Sequence, residues 1–172
     1  MIPRRTPYIK NEVIFLQIDL RRPIFHIALP LLVGGLSALL TRSGMETFTQ
    51  TVTKPPLTPP PWAFGVVWTL LYLLMGIASY LISRVEAPRE QKRRAQLVYL
   101  VQLALNFLWP LLFFNAKAYL LALLLLLLLW LAVAWTIYLF AQISKPAALL
   151  LVPYLLWLTL AAYLNFGVWR LN

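Results

Sequence analysis

The chain has 172 residues, of which 62% are hydrophobic and only 12% charged, and its net charge is +10. Soluble domains run about 45–50% apolar and about 25% charged, and a chain this short could not hide so much apolar surface in a water-facing core. That excludes a soluble domain, and the lack of any cysteine excludes disulfides and thiolate metal sites.

Residues 1–23, MIPRRTPYIKNEVIFLQIDLRRP, come first. Their apolar run is broken by Gln17 and Asp19 and no small-residue cleavage site follows, so they read as a cytoplasmic N-terminal arm and not as a signal peptide. Five apolar stretches follow, at about 24–40, 62–82, 95–114, 119–143 and 147–169. Crossing a hydrocarbon core of about 30 Å takes about 20 residues of helix, and the period-two alternation of a barrel is missing. The expected fold is an all-α integral membrane protein, a bundle of five transmembrane helices over 24–172.

In the first span, His26 stands alone in an apolar run and reads as a packed or interfacial side chain. Gly34 and Gly35, after Pro30, allow close helix approach or a kink. Then comes KPPLTPPPW, with prolines at 55, 56, 59, 60 and 61. Proline fixes its own φ and disfavours helix in the residue before it, so this segment must be extended or turned, and stiff. Pro61 can open the second span directly. The segment is either a plain rigid connection or a lid over a cavity.

The spans supply walls for such a cavity. Phe64, Trp68 and Tyr72 recur every four residues on one face of the second span. Gln102, Asn106, Trp109 and Phe113 share a face of the third. Tyr154, Trp157, Ala161, Leu164, Asn165 and Trp169 lie close in rotation on the fifth. A lone amide in lipid is ordinarily a bond between helices; two amide-bearing faces and a third aromatic face beside a lid point to a pocket for a large, planar, mostly apolar molecule. In the fourth span the leucine run around Trp130 and Trp135 reads as packing or lipid contact.

Eleven of the fifteen basic residues fall on the N-terminal side of the five spans, which places the N-terminus in the cytoplasm and the proline-rich loop and C-terminus opposite. Contact with anionic lipid accounts for most of the net charge. No nucleic-acid partner is expected, because the basic loops are short and lack interleaved aromatics. Glu12, Asp19, Glu46, Glu86 and Glu90, the five acids, all lie outside the apolar spans. Paired-carboxylate catalysis, ion coupling and a metal site have no residues to use there.

Three stretches, KPPLTPPPWAFGVVWTLLYLLMGIASYL, QLALNFLWPLLFF and VPYLLWLTLAAYLNFGVWRLN, closely resemble the tryptophan-rich sensory protein / translocator protein family (TspO/MBR, peripheral-type benzodiazepine receptor-like), in order from about Pro30 to Asn172. The resemblance implies a five-helix membrane fold, commonly a homodimer, with the first interhelix loop covering a pocket. It implies porphyrin-like tetrapyrroles of the protoporphyrin IX class as ligands, with no intrinsic cofactor. Residues matching the family's pocket are Ala38, Phe64, Gly65, Val67, Trp68, Trp157, Ala161, Leu164 and Asn165; the face reading adds Tyr72, Asn106 and Trp109. Trp68 and Trp157 match the two tryptophans associated with porphyrin breakdown and are the candidate catalytic residues.

Departures are present. Leu57 stands where many relatives carry Trp, Val66 where proline is common, and Leu121 in place of a ligand-contacting Trp of animal members. Phe166 occupies the position of the tyrosine in the C-terminal sterol pattern, and Tyr163 is one residue too far from Arg170, which argues against sterol binding. The leading expectation is a membrane receptor or carrier for tetrapyrroles with a role in tetrapyrrole or stress regulation. The alternatives are a light- and oxygen-dependent porphyrin-degrading enzyme, a passive transporter of porphyrins or other planar lipophilic ligands, and a purely structural subunit.

Overall fold

A computed structural model describes residues 21–172; the arm expected over 1–23 lies outside the described residues up to position 20. The described part is a helical bundle: α1 (Arg21–Thr51), α2 (Pro61–Arg84), α3 (Arg89–Pro110), α4 (Tyr119–Ala141), α5 (Lys145–Leu149) and α6 (Val152–Leu171). A π-helical turn, Leu111–Asn115, extends α3. With α5 and α6 taken as one interrupted span, five helices among the described residues are long and apolar enough to cross a membrane. This is a multi-pass integral membrane protein.

Helix α1 runs eleven residues past the apolar stretch read from the sequence. Its last turns, TRSGMETFTQT, are polar, and their hydroxyls are satisfied locally: Thr47, Thr49 and Thr51 each donate from Oγ1 to the carbonyl four residues earlier, at 2.8–3.0 Å. Arg42 and Glu46 pair across one turn at 3.4 Å. Phe48 turns inward and packs on Phe113 and Phe114. Helix α2 starts at Pro61, after an extended Pro60, where the missing N–H costs nothing.

Two other interruptions have proline at their root. Pro110 ends the regular part of α3, and the chain continues in a wider turn in which Ala116 N–H donates to the Leu111 carbonyl five residues back. Pro153 stands at the start of α6; it removes a donor, and the chain turns at Leu150 and Leu151 between α5 and α6. The sequence reading treated 147–169 as one unbroken span.

Helix α1 lies along α2, α3 along α4, and α4 along α6, while α5 packs against α2 and α4. Glycines allow the closest crossing. A Cβ on Gly76 would come within 2.6 Å of the Ile27 backbone, and one on Gly34 would collide with the Tyr72 ring. The interior is filled by Met75, Ala78 and Ile82 of α2, Tyr99 and Leu103 of α3, Leu126, Val133 and Phe140 of α4, and Leu151, Tyr154 and Leu158 near the break and on α6. One seam in the ring of helices stays loose. Helices α2 and α6 make almost no backbone contact, because α5 meets α2 at one end and the chain turns before α6 continues.

Candidate ligand site

Rings fill that seam. From α2, Trp68 stacks on Tyr72 with centroids 5.5 Å apart. From the other side, Tyr154 meets Trp68 edge-on at 6.0 Å, and Trp157 meets Phe64 edge-on at 5.8 Å. The four-residue repeat of α2 lies on one face, and that face meets the aromatic face of α6. Phe64, Val67, Trp68, Trp157 and Ala161 are all half-buried, so the seam is a wall of flat side chains with one margin open. Gly65 is exposed, and a Cβ there would meet nothing within 4 Å.

The remaining expected residue of this group, Ala38, is on α1. It lies one turn beyond Gly34, on the face that touches Tyr72. Since α1 and α2 run antiparallel, it stands near the level of Trp68, and it is exposed.

Both amides of the sequence reading are buried and make the bonds between helices that a membrane amide ordinarily makes. Asn106 is buried and bridges two helices: Tyr72 Oη donates to its Oδ1 at 2.7 Å, and its Nδ2 donates to Tyr154 Oη at 2.8 Å. This ties α2, α3 and α6 together at the base of the aromatic wall. An asparagine side chain has two N–H donors and two acceptor lone pairs, so one of each remains. Asn165, also buried, belongs to a second tier. Its Oδ1 accepts from Trp109 Nε1 at 3.1 Å, and its Nδ2 donates to the Tyr119 carbonyl at 2.8 Å. Trp109 stacks on Phe113 at 5.1 Å, and Leu164 beside Asn165 is buried. The twelve expected residues thus fall into an open aromatic seam and a packed tier linking α3, α4 and α6.

The proline-rich segment, 52–60, roofs the seam. It leaves α1, crosses to the end of α6, and returns to start α2. Asn172 fastens it on both sides of one residue: its Oδ1 accepts from Thr53 N–H and its Nδ2 donates to the Thr53 carbonyl, both at 3.0 Å. Pro55 is buried on Gly167, where a Cβ would come within 2.6 Å of the Pro55 ring. Lys54 Nζ donates to the Thr49 carbonyl at 3.0 Å. Leu57, at the turn, is 79% exposed with φ 65. It contributes nothing to the grip.

Sequence reasoning missed Asn172 and Gly167 as site residues, whereas Tyr154 stood on the face read from the fifth span. The available signal was a glycine and a terminal amide on an otherwise apolar helix, and only the path of the loop gives them a role. Two broad surface grooves lie elsewhere, one between the start of α4 and the end of α6 and the other at the start of α3. None of the twelve expected residues lines either.

Residues 26–170 match the model of the TspO/MBR family. The chain belongs to this family. It is 37% identical over 146 residues to the tryptophan-rich protein TspO of Chlorobaculum tepidum, covering 85% of this chain and 92% of that one. It is 40% identical over 142 residues to the tryptophan-rich protein TspO of Archaeoglobus fulgidus, covering 83% and 91%. To the translocator protein of Bos taurus it is 40% identical over 145 residues, covering 84% and 86%. In this TspO/MBR protein both interruptions, the roof and the aromatic seam lie within the matched span.

Other tryptophans of this TspO/MBR chain have plainer surroundings. Trp62 is 72% exposed at the start of α2, Trp130 Nε1 donates to Thr159 Oγ1 at 3.0 Å, and Trp135 stacks on Tyr138 at 5.3 Å. His26 is held by Ser79, Nδ1 to Oγ 2.8 Å.

Proposed function

We propose that this TspO/MBR protein is a membrane receptor or carrier for porphyrin-like tetrapyrroles of the protoporphyrin IX class, acting in tetrapyrrole or stress regulation. The observation that carries the reading is the α2–α6 seam, in which Phe64, Trp68 and Tyr72 face Tyr154 and Trp157 with little backbone contact between the two helices. A macrocycle would enter by parting side chains and not helices. Flat rings offer stacking area at small entropic cost, and Gly65 leaves room at the margin. Asn106 keeps one N–H and one lone pair for a polar edge of the ligand. Homodimerisation is expected alongside, as is a cytoplasmic N-terminus.

The test is titration of the purified protein with protoporphyrin IX in the dark, following tryptophan quenching and the Soret band. Saturable binding weakened roughly tenfold by Trp68→Ala or Trp157→Ala is expected, since each replacement removes one stacking wall; unchanged titrations for both variants would sink the proposal.

A second reading, photo-oxidative degradation of the porphyrin by oxygen, is favoured by one further detail. Trp68 is stacked on Tyr72, whose phenol donates to Asn106 Oδ1, so two oxidisable rings stand in contact where the excited porphyrin and oxygen would meet. Illumination after the dark titration separates the readings: bleaching of the Soret band, lost in Trp68→Phe or Trp157→Phe, indicates turnover, and a stable spectrum leaves binding alone.

A further inference from the structure

At the end of the bundle remote from the roof, the first two turns of α3 meet the beginning of α1 and the end of α2 around a groove of about 310 Å³. Arg89, Lys92, Arg93 and Gln96 line it from α3; their spacing of three, four and seven puts them on one face. His26 lines it from α1 and Ser83 from α2. Among the described residues that line it, three are basic and none is a carboxylate. We propose that this groove binds a phosphate group, of the kind carried by an anionic phospholipid headgroup.

Its polar walls are set in place by contacts that leave donors over. Lys92 Nζ donates to the carbonyls of Ser83 at 3.4 Å and Val85 at 3.2 Å, which pins the ammonium across the gap between α2 and α3 and leaves one of its three N–H groups. Arg93 gives two of its five N–H groups to Glu90, at 2.9 and 3.0 Å. That pair is exposed on both sides, so it is weak and exchangeable, and the guanidinium fork suits a phosphate. Behind them Gln96 and Ser79 form a closed set: Ser79 Oγ donates to Gln96 Oε1 at 3.1 Å, and Gln96 Nε2 donates to the Ser79 carbonyl at 3.1 Å. With its proton so committed, Ser79 Oγ accepts from His26 Nδ1; Nε2 is then the ring's acceptor, so His26 shapes the wall and the donors come from α3.

The groove also sits where a headgroup would be. Ile24 and Phe25, beside His26, are 62% and 65% exposed and offer an apolar surface next to the charged one. On the other side of α3, Arg94 lies over the Trp135 ring at 5.8 Å, and Trp135 stacks on Tyr138; aromatic rings paired with cations mark the membrane interface. Cations placed on this face of α3 thus stand at headgroup level, with tail-compatible surface adjoining.

The full chain in neutral detergent is titrated separately with phosphatidylglycerol, phosphatidylcholine and inorganic phosphate, and bound species are counted by native mass spectrometry. Expected are one saturable phosphatidylglycerol and no comparable phosphatidylcholine adduct. Arg89→Gln with Arg93→Gln should weaken binding by about fivefold per cation, roughly twenty-five-fold together. Arg42→Gln with Lys117→Gln, the same loss of charge at the other end of the bundle, should leave it unchanged. Charge-keeping Arg89→Lys with Arg93→Lys should retain most of it, which separates a lost site from a lost fold. Displacement of the lipid by millimolar inorganic phosphate would keep the phosphate site and assign it to a soluble anion. Equal affinity in the wild type and the Arg89/Arg93 glutamine variant, or an equal loss in the distal variant, overturns the proposal.

Discussion

Asn106 shows how one side chain can decide the geometry of a wall it does not belong to. Its two hydrogen bonds hold the phenols of Tyr72 and Tyr154 on separate helices, and Tyr72 in turn carries the stack with Trp68. Asn106→Leu strands two buried phenols at once. Hydrogen bonds between membrane helices average about 0.6 kcal/mol and reach about 1.7, so the substitution is expected to cost about 1–3 kcal/mol in reversible detergent unfolding. Tyr72→Phe should cost less, because Asn106 keeps Tyr154. Equal losses for the two would show that the bridge is not shared. The neighbouring glycines make a sharper pair. Gly34 abuts a Tyr72 ring that cannot retreat without leaving Asn106, whereas Gly35 faces open space. Gly34→Ala should destabilise, and Gly35→Ala should gain up to about 1 kcal/mol from helix propensity; a gain at both would mean that the Tyr72 ring is free to move.

At the scale of elements, the roof over the seam is a segment made stiff by its prolines and latched at one end by Asn172 and Gly167. Asn172→Ala removes both bonds to Thr53 while touching nothing in the core. The expected result is faster hydrogen exchange at Thr53 and the residues after it, with global stability changed by less than about 1 kcal/mol. Gly167→Leu should lift Pro55 and have the same local effect; an unchanged exchange rate in both variants would place the latch elsewhere. Much of this layer was legible in the sequence. Long apolar runs fixed the five spans because lipid leaves the backbone no alternative to helix, and a four-residue repeat brought Phe64, Trp68 and Tyr72 to one face. The polar end of α1 was not legible, since TRSGMETFTQT carries no apolar period and is held by Phe48 packed on Phe113 and Phe114. The break before α6 could have been read from Pro153, which lies inside an apolar run that drew attention to its length instead. Where Asn106 and Asn165 find their partners could not be read at all, because the phenols, the indole and the carbonyl that satisfy them come from residues 34 to 56 positions away.

For the molecule as a whole, an odd number of spans would put the two ends of the bundle on opposite faces, and the positive-inside rule predicts which of them is cytoplasmic. Eleven of fifteen basic residues belong to the N-terminal side, including the cluster from Arg89 to Arg94 that forms the basic groove. Cytoplasmic leaflets hold the anionic lipid, so the orientation from the positive-inside rule and the proposed phosphate site require the same face. The chain has no cysteine, so single cysteines report without background. Leu57→Cys, in the exposed turn of the roof, should react with an impermeant maleimide in intact cells, and Glu86→Cys, between α2 and α3, only after lysis. The reverse pattern would turn the roofed mouth of the aromatic seam toward the cytoplasm. A ligand made inside the cell would then reach the seam directly, and the groove would face a leaflet poor in anionic lipid. The orientation therefore bears on both sites at once: with the expected one, any porphyrin bound beneath the roof comes from the bilayer or from the far side, and the basic end is left to anchor the protein.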